Sequence, residues 1–187
     1  MQRFKRSIIL TCVLPSLTLF LFACSSASPT FTSPQEAIEN IQNLAGFPES
    51  TLSYIETTHM SNSPNGDLQV DLYQDQEGRK YYVEPSTNTV VEIDARNLLD
   101  SPADAQPGPA YDQTELVRKA NEFVRAAIPE FSSLQADLSY EMGNKGDNYF
   151  FDWRMPITQG SFMPPFIQVG ITTHGDIFAF FNTVTLP

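Results

Sequence analysis

The 187-residue chain carries 11 basic and 22 acidic residues, a net charge of −11, and two cysteines. A surface of that sign repels phosphate backbones and anionic head groups, which argues against nucleic acid as a partner. Two cysteines, both within the first 24 residues, leave no disulfide framework to hold the rest, so a packed core has to do it.

Arg3, Lys5 and Arg6 form a positive segment, and Ser7 to Ala23 a mostly apolar one interrupted by Thr11, Pro15, Ser16 and Thr18. This is the layout of an export signal; a membrane-spanning helix needs ~20 predominantly apolar residues, and here a proline stands mid-way. The closing Leu21-Phe22-Ala23-Cys24 resembles a lipobox. The resemblance implies removal of residues 1–23 and a diacylglycerol on the Cys24 thiol, with a palmitate-type acyl anchor; an ordinary secretory signal with an incidental cysteine is the alternative. Processing would remove Cys12 and three basic residues, leaving eight basic against twenty-two acidic residues, a net charge of −14. Attachment to the cell membrane or outer membrane, on its extracytoplasmic side, would then depend on the lipid and not on charge. Residues 24–32, rich in Ser, Thr and Pro, read as a tether.

Ser33-Pro34-Gln35-Glu36 predicts a helix start, with Ser33 as cap and Pro34 in the first helical position. Ala37, Ile38, Ile41, Leu44 and Ala45 follow at helical spacing, and Gly46 is placed to end the helix in a left-handed conformation. From Thr51 the period becomes that of strands: a first strand through Leu52 and Tyr54, a turn at Pro64 to Asp67, then Leu68 to Tyr73. Further strands are expected at Lys80 to Val83 and Val90 to Ile93, around turns at 75–78 and 85–88. Residues 97–111, with Pro102, Pro107 and Pro109, read as a linker. Asp112 and Glu115 stand at capping-box spacing, with Thr114 as the other possible cap. An apolar helix face runs from Leu116 to Ile128 and includes Phe123 and Val124. Strands are expected over Leu134 to Met142, Tyr149 to Met155, Ile167 to Thr173 and Ile177 to Val184.

The fold class is therefore α+β, as two units over 33–96 and 112–187, each one helix packed on an antiparallel meander. The two units either share a core or extend one sheet; a single α+β domain without internal duplication is the alternative.

Tyr81-Tyr82-Val83-Glu84-Pro85-Ser86-Thr87-Asn88-Thr89-Val90-Val91 resembles the hairpin of PepSY domains, with Asn88 where glycine is usual. The second unit is similar to the related YcdB/YcdC-type repeat, in Ala127-Ile128-Pro129-Glu130-Phe131, in Phe150-Phe151-Asp152-Trp153-Arg154 and in the turn through His174-Gly175-Asp176. The resemblance implies a small non-catalytic module of exported bacterial proteins that binds another envelope protein, by inhibiting or chaperoning a peptidase.

No His-Glu-x-x-His helix, Gly-x-Ser-x-Gly elbow, phosphate loop or Cys-x-x-Cys pair is present, and no cofactor or metal site is expected. His59 and His174 are the two histidines, and no spacing makes them converge. Asp147, Asp152 and Glu141 lack the fixed spacing of an acid/base pair, and Asp71, Asp75 and Glu77 lack the calcium-loop pattern. The stretch Phe162-Met163-Pro164-Pro165-Phe166 joins two strands, and its prolines keep it out of a regular central strand, so Phe162, Met163 and Phe166 are the candidate partner-binding residues. Phe178, Phe180 and Phe181 read as core. A small-molecule or lipid-binding protein with a pocket between helix and sheet is the alternative function.

Overall fold

A computed structural model of the chain describes residues 34–46, 51–63, 66–99, 110–157 and 163–184. The signal, Cys24, the tether, Ser33 and Phe162 lie outside these residues. The elements run α1 (Pro34–Ala45), β1 (Ser53–Ser63), β2 (Gly66–Gln74), β3 (Lys80–Glu84), β4 (Thr89–Asp94), α2 (Gln113–Ala127), α3 (Phe131–Leu134), β5 (Ser139–Lys145), β6 (Asn148–Arg154), β7 (Phe166–Thr172) and β8 (Ile177–Asn182).

Local chemistry accounts for most boundaries. The side chain of Asp112 accepts a hydrogen bond from the Glu115 backbone N–H at 2.9 Å, so Asp112 and not Thr114 caps α2. Gly46 follows α1 at φ 71°, as a helix-terminating glycine should. One expected strand start is overturned: residues from Leu134 to Asp137 are helical, as the end of α3 and a 3₁₀ turn, and β5 begins only at Ser139. The cause is tertiary. Phe131, fully buried, is pulled edge-on against Trp153 with ring centroids 5.4 Å apart, and the chain turns helically behind Pro129 to place it there.

All eight strands of the described residues form one antiparallel sheet in the order β1-β2-β3-β4-β8-β7-β6-β5. Each half is a meander of four sequential strands, and the halves meet last strand to last strand through only three residue pairs, Glu92↔Phe181, Ile93↔Phe180 and Asp94↔Ala179. Antiparallel pairing of equivalent strands keeps both meanders the same way up, so both helices lie on one face. There α1 contributes Ala37 and Ile41, and α2 contributes Leu116, Ala120 and Val124. These meet Tyr73, Tyr81, Val83 and Ile93 from the first half and Phe151, Trp153, Ile167, Val169 and Phe180 from the second in a single core. Burial on that scale is the main stabilising term, at about 25 cal/mol per Å² of apolar surface.

Phe123 lies on the apolar face of α2, packed against the core. It is half-buried at the rim of the core, where its ring meets Phe180.

Candidate functional site

Strand alternation sends a second set of side chains to the face opposite the helices, and that face is apolar at its centre. In β7 the residues Ile167, Val169 and Ile171 enter the core, so Phe166, Gln168 and Gly170 face the other way. A Cβ built on Gly170 would lie 2.7 Å from Phe178 Cζ, which places the Phe178 ring over the glycine on this helix-free face. Phe150, opposite Gly170 on β6, meets that ring edge-on at 5.5 Å. Beside them Phe166 stacks on Phe181, with centroids 5.3 Å apart and planes 25° from parallel. The expectation that Phe178, Phe180 and Phe181 are core holds for Phe178 and Phe180, which are buried, and is corrected for Phe181. Only Phe180 joins the core under the helices. Phe178 is buried on the opposite face, and Phe181 is half-buried there.

The described part of the candidate stretch, Met163 to Phe166, leads onto this surface. Phe166 opens β7, its N–H bonded to the Thr183 hydroxyl at 2.8 Å, so it is a strand residue and not part of a loop. Met163 is half-buried just before it. Phe150, Phe166 and Phe181 are half-buried, as is Tyr82 across the central junction.

Glu92 sits between Tyr82 of β3 and Phe181 of β8, directly paired with each. Among the described residues its side chain has no hydrogen-bond partner, whereas neighbouring Asp94 is held by Arg96 through bonds of 2.8 Å. Burial first, and then the charge of Asp94, push the Glu92 carboxyl up to about 7. The sequence carried no sign of this: an acidic residue in the strand Val90-Val91-Glu92-Ile93 reads as solvated until Phe181 is placed beside it.

The other conspicuous carboxylates are structural. Glu84 is buried at the β3–β4 turn and accepts from the Thr87 hydroxyl at 2.6 Å, the Ser86 hydroxyl at 2.8 Å and the backbone N–H groups of both at 3.0 Å or less. Asn88 completes that turn at φ 55°, the left-handed conformation its chemistry tolerates. Asp75 accepts from Arg79 and from the Tyr81 hydroxyl, and Glu77 also pairs with Arg79, which leaves a saturated turn. Glu141 and Asp152 do face each other across β5 and β6, with Arg154 between them at 3.4 and 3.5 Å. Asp147 stands apart in the β5–β6 turn.

A cleft of about 1020 Å³ opens at the end of the sheet that holds the β2–β3 and β7–β8 turns, between the last turn of α1, Phe123 and the strands. Leu44, Leu98, Leu99 and Phe123 give it apolar walls, and Arg79 and His174 give it polar ones. His174 Nδ1 is shielded from solvent and has no hydrogen-bond partner among the described residues. His59 of β1 pairs with Asp67 of β2 at 3.1 Å, and four strand spacings, ~19 Å measured across the sheet alone, separate β1 from the β8 end of the His174 turn. Among the described residues no three side chains of metal-ligand type converge, and no helix is long and apolar enough to cross a membrane.

Compared with protein-family models, with curated proteins and with solved structures, the chain matches none.

Proposed function

We propose that the chain is a non-enzymatic, lipid-anchored protein of the bacterial envelope, held by acylated Cys24, that uses two PepSY-like half-sheets as one platform to bind another exported protein. The partner class that the PepSY resemblance favours is a peptidase, inhibited or chaperoned by the contact. The observation that supports binding is the helix-free face. It carries the half-buried rings of Phe150, Phe166 and Phe181 and, beside Phe181, Glu92, whose carboxylate has no bonded partner among the described residues, while α1 and α2 pack on the other side. Aromatic anchors of this kind dominate the energy of protein interfaces, and an unpaired carboxylate beside them rewards a partner that brings a cation.

The test is crosslinked capture of the full chain from its own envelope fraction, beside a Phe166→Ala/Phe181→Ala variant. Loss of the captured protein with an unchanged thermal melt supports the reading, and unchanged capture by the folded variant removes this face from it. The cleft supports a second reading, binding of a small molecule or lipid, because its volume falls at the upper end of the ~300–1000 Å³ usual for ligand sites. Phe123→Trp would narrow the cleft, and a bound lipid released from the parent chain but not from this variant would favour that reading.

A further inference from the structure

The two edges of the sheet are built differently. β1 is interrupted by register shifts between Tyr54 and Glu56 and between Met60 and Ser63, the kind of irregularity that turns an edge away from other chains. β5 has none: its seven residues pair without a break against β6, from Ser139↔Arg154 to Lys145↔Asn148, and six of the seven are exposed. Lys145 and Asn148 flank the two-residue turn Gly146-Asp147, and such a flanking pair exchanges its hydrogen bonds with itself. Odd-numbered residues of β5 thus bond to β6, and Tyr140, Met142 and Asn144 direct their N–H and C=O groups away from the sheet.

We infer that β5 pairs antiparallel with β5 of a second copy of this chain, about Gly143. In that register Met142 and Asn144 of one copy exchange hydrogen bonds with Asn144 and Met142 of the other. Glu141 then lies opposite Lys145 twice over, on the same face of the joined sheet. Both can meet: Glu141, though paired with Arg154 at 3.4 Å, stays 68 % exposed, and Lys145 is exposed and in no ion pair among the described residues. Opposite charges directly across an antiparallel pair are favourable, so the charges that would deter a like-charged strand select this one. A Cβ built on Gly143 meets nothing within 4 Å in the single chain, so the position admits a substituted side chain. The molecule already joins two four-stranded meanders in this manner at β4 and β8, with both sets of helices on one face.

The experiment uses the full chain extracted in mild detergent. Gly143 faces its counterpart in a pair without hydrogen bonds, where Cα atoms approach to ~4.5 Å, within disulfide range. Gly143→Cys should give a covalent dimer of the chain under mild oxidation, while the parent chain and Ser139→Cys do not. Separately, Glu141→Lys and Lys145→Glu should each weaken self-association roughly tenfold, and the charge-swapped double variant should restore it. Circular dichroism of every variant confirms an intact fold. Monomeric Gly143→Cys with a native spectrum, stronger crosslinking from Met142→Cys, a crosslinked species containing a different protein, or a double variant as weak as its parents would each overturn the inference.

Discussion

The ring of Phe123 meets that of Phe180 edge-on, with centroids 5.2 Å apart and planes at 75°, and so fastens α2 to a strand at the middle of the sheet. Phe180 is 1 % exposed, whereas Phe123 is half-buried at the cleft, so truncating the two should not cost the same. Phe180→Ala is expected to destabilise by ~3–5 kcal/mol and Phe123→Ala by ~2 kcal/mol, the latter including the aromatic pair itself. Urea unfolding of both variants measures the difference; equal losses would mean that Phe123 is as deeply packed as its partner.

Glu84 organises the β3–β4 turn. Burial by itself would raise its carboxyl, but the bonds from the Thr87 and Ser86 hydroxyls and backbone N–H groups outweigh burial and hold it below the ordinary 4.5. A depressed carboxyl stabilises the fold above that value, and the contribution is lost as the pH falls through the lower, folded-state pKa. Glu84→Gln should therefore unfold more readily at neutral pH, by about 2 kcal/mol, and lose much less further stability on acidification below pH 4.5 than the parent chain.

Glu92 behaves in the opposite sense. With its carboxyl raised to about 7, its protonated form is the one the fold favours, so this contribution is full below the ordinary 4.5 and is lost as the pH rises through about 7. After allowance for screening at a half-buried site, the loss across that window is about 2 kcal/mol. Glu92→Gln should flatten thermal stability between pH 4.5 and 7; a variant with the parent's slope would locate the titration elsewhere.

Cys24→Ser is expected to abolish acylation and leave the longer precursor, as read by intact mass and by metabolic lipid labelling. An acylated variant of mature length would show that the anchor lies at another residue.

Helix ends and turns were legible in the sequence because single residues determine them: Asp112 as cap, Gly46 and Asn88 at positive φ. Phe151 enters the core while Phe150 meets Phe178 on the other face, as alternation along β6 requires. What was illegible depends on distant partners. Leu134 carries strand character, but Phe131 docking on Trp153 bends that stretch into a helix. Adjacent apolar pairs such as Leu72-Tyr73 and Phe180-Phe181 announce two covered faces without saying which face the helices take. Glu92 gains its character only from the pairing of β4 with β8, for which no local signal exists.

That three-pair junction also dictates an order of events. Within each meander every strand pairs with its sequence neighbour, so closing either half costs little loop entropy, whereas joining β4 to β8 brings together strands from far apart in the chain. The halves should zip early and the seam last, and the seam should also be the line along which a weakened molecule parts. A molecule open at the seam exposes the β4 and β8 edges, each able to pair with the other half of a second copy. Exchange of halves between chains is then the characteristic misassembly of this fold, and the roof of α1 and α2 over the seam is what keeps it intramolecular.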